Sequence, residues 1–260
     1  MSKVRLLLFV LMSMFVLPAH AQLIARTGSA ASAAALMPTR DQFRTDIGGG
    51  TTAGANGSFG GLRREVNWDG VPSAFAAPNN LPADFFNVTS PRGILLSTPG
   101  TGFQVSAATT DGSGQPQNFG NLNASYLSTF IAFSPQRLIT SLGSNIFDVT
   151  FYVPGTSIPA TVTGFGAVFT DVDQASTTRI QFFDHNSMSL GSVNVPPSSG
   201  GLSFAGASSG DGQATIARVR VTLGNTVIGP NDNSTTADVV VADDFIYGEP
   251  TDRIFADNFE

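Results

Sequence analysis

The clearest periodicity in the chain repeats every second residue. From Ile146 to Val153, Phe147, Val149, Phe151 and Val153 fall on one side, with Asp148 and Thr150 on the other. Ala217, Val219, Val221 and Leu223 alternate in the same way with Arg218, Arg220 and Thr222. Strand side chains point to opposite faces in turn, so each segment predicts a strand with one buried face. Further strands are expected at Arg64–Trp68, closed by a turn at Asp69-Gly70, and at Ile94–Ser97, Phe103–Ala107, Thr129–Phe133, Phe165–Thr170 and Val239–Tyr247. Arg179–Phe183 and Met188–Val195 flank Asp184-His185-Asn186-Ser187, whose turn-forming residues predict a hairpin. About ten short strands, with no helix long enough to join parallel neighbours, predict an all-β fold. The expected architecture is a two-sheet antiparallel β-sandwich, jelly-roll-like, with a short N-terminal helix.

The first residues follow a different pattern. Lys3 and Arg5 precede the apolar run Leu6–Leu17, which is followed by Pro18 and Ala19-His20-Ala21. This is the layout of a secretory signal with cleavage expected after Ala21. A transmembrane anchor needs about 20 apolar residues, more than this run supplies, and no second such run follows. The protein is therefore expected to be secreted or periplasmic, with no membrane span. Residues 22–60, rich in Ala, Gly and Ser, are expected to form a flexible lead-in with one short helix over Pro38–Ile47, capped by Thr39 and closed by Gly48. Residues 61–249 form the expected sandwich, and residues 250–260 a tail beginning at Pro250.

Composition narrows the chemistry. The 42% apolar content and 21 Phe supply a core, while charged residues make up only 12%. Beyond the signal the chain carries 11 Arg, no Lys and 19 acidic residues, a net charge of −8. An acidic, lysine-free surface argues against nucleic acid as a partner. With no cysteine, disulfides, thiolate metal sites and cysteine nucleophiles are excluded.

Four segments carry a resemblance: Arg63-Arg64-Glu65-Val66-Asn67-Trp68-Asp69-Gly70-Val71-Pro72, Ser90-Pro91-Arg92-Gly93, Gly164 to Asp173, and Asp243-Asp244-Phe245-Ile246-Tyr247-Gly248. Over about residues 40–249 they resemble a family of uncharacterised secreted bacterial proteins, which implies export and no particular activity. The second half is similar, more loosely, to jelly-roll domains of carbohydrate-binding type, where an Asp-rich closing strand often contributes to a structural calcium site. The tail Ile254–Glu260 is similar to the C-terminal endings of many exported gammaproteobacterial proteins.

Candidate chemistry rests on oxygen ligands. His185 is the one histidine beyond the signal, in an expected hairpin turn, and one histidine cannot supply the His sets of most catalytic zinc sites. Gly206-Ala207-Ser208-Ser209-Gly210 matches the nucleophile-elbow spacing, but no histidine follows it, so it reads as a turn. Asp171 and Asp173, just past a buried strand, can point at one cation. Asp243 and Asp244 are adjacent, so in a regular strand they point to opposite faces, and the inward one needs a partner. These four aspartates are the candidate ligands of a structural Ca2+, with Asn231-Asp232-Asn233 offering further oxygens nearby. Glu65, Asp69 and Asp171 are the candidate carboxylates of a glycan-directed hydrolase. Trp68 offers either an exposed sugar platform or a buried packing residue, and Arg63 and Arg64 are expected to pair with acids. The leading reading is a non-enzymatic binding or surface-associated module, with an extracellular glycan or cell-surface component as partner. The alternatives are the hydrolase and a purely structural surface protein.

Overall fold

The computed structural model describes residues 22–52, 61–230 and 236–252. The segment expected to be a signal, residues 1–21, together with Asn231-Asp232-Asn233 and the tail from Arg253, lies outside the described residues.

The elements run β1 (Leu23–Ala30), α1 (Ala33–Asp46), β2 (Arg63–Val66), α2 (Phe85–Val88), β3 (Ile94–Ser97), β4 (Gly102–Val105), α3 (Tyr126–Thr129), β5 (Ile139–Leu142), β6 (Ile146–Phe151) and β7 (Ala160–Thr161). Then come β8 (Gly164–Val172), β9 (Arg179–Phe183), β10 (Ser189–Asn194), β11 (Ser198–Ser209), β12 (Arg218–Thr222), β13 (Val241–Gly248) and β14 (Thr251–Asp252). Sheet A has the order β1-β11-β8-β13-β5-β4, with β2 also paired to β13, and sheet B the order β10-β9-β12-β6-β3. All pairings between these strands are antiparallel. The expected two-sheet antiparallel sandwich is the fold.

The two sheets close on one core. Phe147, Val149 and Phe151 of β6, Ile180 and Phe182 of β9 and Val219 and Val221 of β12 meet Phe165, Ala167 and Phe169 of β8 and Phe245 and Tyr247 of β13. Burying each such side chain contributes about 1.5–3 kcal/mol. The β6, β9 and β12 strands of sheet B alternate buried and half-buried residues, with Arg179 exposed, because only one face is covered. Every residue of β8 and β13 is buried, because sheet B covers one face of sheet A, and α1 together with α3 and the chain after it covers the other. A doubly covered strand reads as a continuous apolar run, as Gly164–Val172 does.

The second layer was not legible as such. Residues 23–46, expected within a flexible lead-in, form an edge strand and a docked helix. β1 pairs with β11 from Leu23↔Ser209 to Ala30↔Leu202. α1 starts at Ser32, whose hydroxyl accepts from the Ala35 N–H, not at Thr39, and Pro38 lies inside it. Pro38 removes one helical hydrogen bond, and the burial of Leu36, Phe43 and Ile47 against Val168, Leu202, Phe204 and Ile246 offsets that loss. Phe43 reaches the sheet because Gly166 and Gly206 lie beneath it. A Cβ on either glycine would come within 2.9–3.0 Å of the ring.

Three other expectations change. Gly206 to Ser209, read as a turn, is the final stretch of β11, held between β1 and β8. Thr129–Phe133, read as a strand, is the end of α3 followed by irregular chain; its Ile131 N–H donates to the Thr170 hydroxyl. β5, not expected, fills its place in sheet A. The Asp184–Ser187 hairpin is present, and Asp184 Oδ1 accepts from the Asn186 and Met188 N–H groups.

Candidate functional site

The carboxylates singled out from sequence occupy two separate places. Asp243 and Asp244 sit in β13 where its register slips: Ala242 faces Phe169 and Phe245 faces Ala167, so the two aspartates together oppose Val168 alone. Two residues against one is a β-bulge, and it re-aims side chains that a regular strand would send apart. Here it brings both carboxyls to one side, correcting the expectation of opposite faces. Ser134 Oγ lies 2.7 Å from Asp244 Oδ1 and 3.3 Å from Asp243 Oδ1. Asp243 Oδ2 accepts the Phe133 N–H at 2.6 Å and the Ser134 N–H at 3.3 Å. At the same bulge the partner of β13 changes from β5 to β2.

Both carboxyls are buried, Asp243 completely. Burial pushes Asp243 well above the usual carboxylate range, and the charge of Asp244 adds to this. Burial also raises Asp244, opposed by hydrogen bonds from Ser134 and Asp243 and by the positive charge of Arg40. Like charges this close in a low-dielectric site disfavour each other, so burial and the neighbouring carboxyl both favour the protonated form of Asp243. Arg40 of α1, 4.0 Å from Asp244, brings the nearest positive charge.

Asp171 lies elsewhere. It is three residues along β8 from Val168, about 10 Å at strand rise. Its backbone has φ 63°, and its Oδ1 accepts the Gly200 N–H at 2.7 Å. Burial raises its carboxyl to about 6, with Asp173 and Asp238 adding repulsion. Asp173 is exposed, while its N–H donates to Asp238. Asp238, which sequence reasoning missed, is completely buried and accepts the N–H groups of Asp173 and Gln174 and the Thr177 hydroxyl. Its only signal was an acid just before the apolar closing strand.

Among the described residues no three His, Cys, Asp or Glu side chains gather in a metal-binding group. Calcium requires six to eight oxygen ligands. Of the four candidate ligands, Asp171 and Asp173 lie apart from Asp243 and Asp244, and Asp171 Oδ1 and Asp243 Oδ2 already accept N–H groups, so this donor set fits calcium poorly.

The hydrolase carboxylates are also engaged. Glu65 is gripped by Arg44, at 2.7 and 2.5 Å, and by Arg63 at 2.8 Å. Asp69 Oδ1 accepts the Gln136 and Arg137 N–H groups at 2.5 and 3.0 Å. Arg64 is buried and pairs with Glu249 at 2.7 Å. Trp68 is completely buried, edge-on to Phe86 and Phe245, and so is no sugar platform. His185 is exposed in its hairpin turn, and Ser208 is a buried residue of β11.

A third surface went unnoticed in the sequence as a unit. The uncovered face of sheet B displays Arg218, Arg220 and Thr222 of β12, Asp148 and Thr150 of β6, and Arg179 and Gln181 of β9. Asp148 is held by Arg220 through two hydrogen bonds, at 2.7 and 3.0 Å, and by Arg218 at 3.1 Å. The Arg218 guanidinium lies 3.9 Å from the centre of the Phe183 ring. The alternation of β6 and β12 predicted these outward positions one strand at a time, but only the pairing of β12 with both β6 and β9 gathers them.

Fold and site together define an all-β, two-sheet sandwich whose candidate acids are mostly internal anchors. No family model matches the chain, and no curated protein or solved structure is a match.

Proposed function

We propose that this is an exported, non-enzymatic β-sandwich module that binds glycan at or beyond the bacterial cell surface. Support comes first from the signal-like N-terminus and the resemblance to secreted bacterial proteins. The observation that carries the reading is the fate of the acids. Glu65, Asp69 and Asp171 are each engaged by guanidinium or backbone N–H groups, whereas a glycosidase needs two carboxyls facing one sugar. Polar side chains that could meet a ligand gather instead on an open sheet face.

The experiment is an array of extracellular glycans probed with the chain from Gln22 onward, with release of reducing ends assayed in parallel. Binding without release is the expected result. Release that disappears in Glu65→Gln or Asp69→Asn would establish the hydrolase instead. Silence on every glycan would leave a structural surface protein as the better account.

A further inference from the structure

We propose that the uncovered face of sheet B binds an acidic polysaccharide, a uronate-type chain whose carboxylates pair with Arg179, Arg218 and Arg220. This rests on the glycan-binding reading and gives it a place and a ligand class.

Charge is the first argument. The whole protein carries −6, yet this face presents three guanidinium groups against the single carboxylate of Asp148. Asp148 serves both Arg218 and Arg220, and one carboxylate cannot neutralise two guanidiniums. Arg179 is exposed and makes no ion pair among the described residues. A basic face on an acidic protein is an electrostatic target for anions, and the acidic remainder disfavours anions elsewhere.

Spacing is the second. Arg218 and Arg220 are two residues apart on β12, about 6.6 Å along the strand. Arg220 faces Gln181 across the β12–β9 ladder and Arg179 faces Thr222, which sets Arg179 diagonal to Arg220 at roughly 7–8 Å. Between and around them lie Gln181, Thr150, Thr222 and, on β10, Asn194 opposite Arg179. Sparse cations among neutral hydrogen-bonding groups match a ligand with one carboxylate per sugar and hydroxyls in between. Double-stranded DNA, with one charge per about 1.7 Å, demands a far denser basic surface. The aromatic ring that β9 presents on this face, Phe183, lies under the Arg218 guanidinium and so offers no open platform for base stacking.

Rigidity is the third. The two-point contact with Asp148 fixes the plane of Arg220, and the Phe183 ring supports Arg218. Guanidiniums already held in place lose little freedom on binding, which favours them over mobile surface charges.

The test measures binding of the chain from Gln22 onward to alginate, polygalacturonate, a neutral glucan and duplex DNA, at roughly 50 and 200 mM salt. The uronates are expected to bind, more weakly at the higher salt, and the neutral glucan and DNA are not. Arg179→Gln with Arg220→Gln is expected to weaken uronate binding at least about tenfold, while Arg26→Gln, on the opposite sheet, leaves it unchanged. Thr150→Glu adds a carboxylate to the face without removing an arginine and is expected to weaken binding too; unchanged Trp68 fluorescence verifies that each variant is folded. Binding of a neutral glycan with no effect of these substitutions overturns the acidic-ligand face and leaves the glycan reading standing. Equal binding of DNA reduces the face to a general polyanion surface and overturns the proposal. Failure to bind any glycan here or on the array removes both.

Discussion

The indole N–H of Trp68 donates to the main-chain carbonyl of Asp243 at 2.8 Å. The chain's one tryptophan thus clamps the bulge that aims Asp243 and Asp244, tying the loop after β2 to the strand that β2 pairs with. Trp68→Phe keeps most of the packing against Phe86 and Phe245 but orphans that buried carbonyl, at an expected cost of about 1–3 kcal/mol. Trp68→Ala is expected to cost about 3–5 kcal/mol. Urea unfolding followed by circular dichroism measures both, and equal stability of the wild type and Trp68→Phe would remove the clamp.

The bulge pair separates shape from charge. Asp243→Ala leaves the Phe133 and Ser134 N–H groups without an acceptor, and is expected to destabilise by about 2–4 kcal/mol. Asp243→Asn keeps an oxygen for those donors and carries no charge to bury, so its expected cost is below about 1 kcal/mol. Denaturant midpoints for the two variants at neutral pH decide the matter; similar losses would mean that the acceptor geometry is unimportant.

Asp171 gives a pH dependence of definite sign. Its carboxyl is raised to about 6 by burial and by Asp173 and Asp238, so the folded state holds a proton that the unfolded chain releases near pH 4. A raised acid destabilises the fold progressively as pH climbs from the unfolded value through the folded one, with no penalty below. Asp171→Asn removes this burden and is expected to be the more stable protein at pH 7.5, with the advantage gone at pH below about 4. Thermal melts of both proteins across that range supply the check. An advantage that grew in acid would reverse the assignment.

Calcium offers a simple measurement. Because N–H groups aim at Asp171 and Asp243, millimolar calcium and an excess of chelator are expected to give the same Tm. A rise of several degrees with calcium, lost in Asp171→Asn, would restore a structural ion beside that loop.

β1 has a testable structural role. Removing residues 22–30 uncovers the edge of β11, and exposed strand edges pair with other chains. The shortened protein is expected to self-associate in light scattering at concentrations where the longer one stays monodisperse.

What was legible in the sequence was whatever had one partner and one open face. β6 and β12 alternate because solvent lies on one side, and the alternation can be read directly from Phe147 to Phe151 and from Val219 to Val221. Where two layers meet, the signal disappears. β11 ends in small residues, Ala205 to Ser209, that fit between neighbouring strands and beneath Phe43, and small residues read as a turn. The bulge was equally invisible, since a register slip belongs to the pairing of β13 with β8 and not to either strand. Asp243 and Asp244 were correctly marked as unusual acids in an apolar strand, but which way they point depends on that slip.

The pairing of β1 with β11 also sets an order of events. Leu23 waits for Ser209, and Ala30 for Leu202, so the strand made first can find its partner only after most of the chain exists. Contacts of such long sequence separation slow folding, because a large loop must close before any of them forms. A chain made from its N-terminus onward therefore holds β1 without its partner until β11 has been made, and that edge of sheet A cannot close before then.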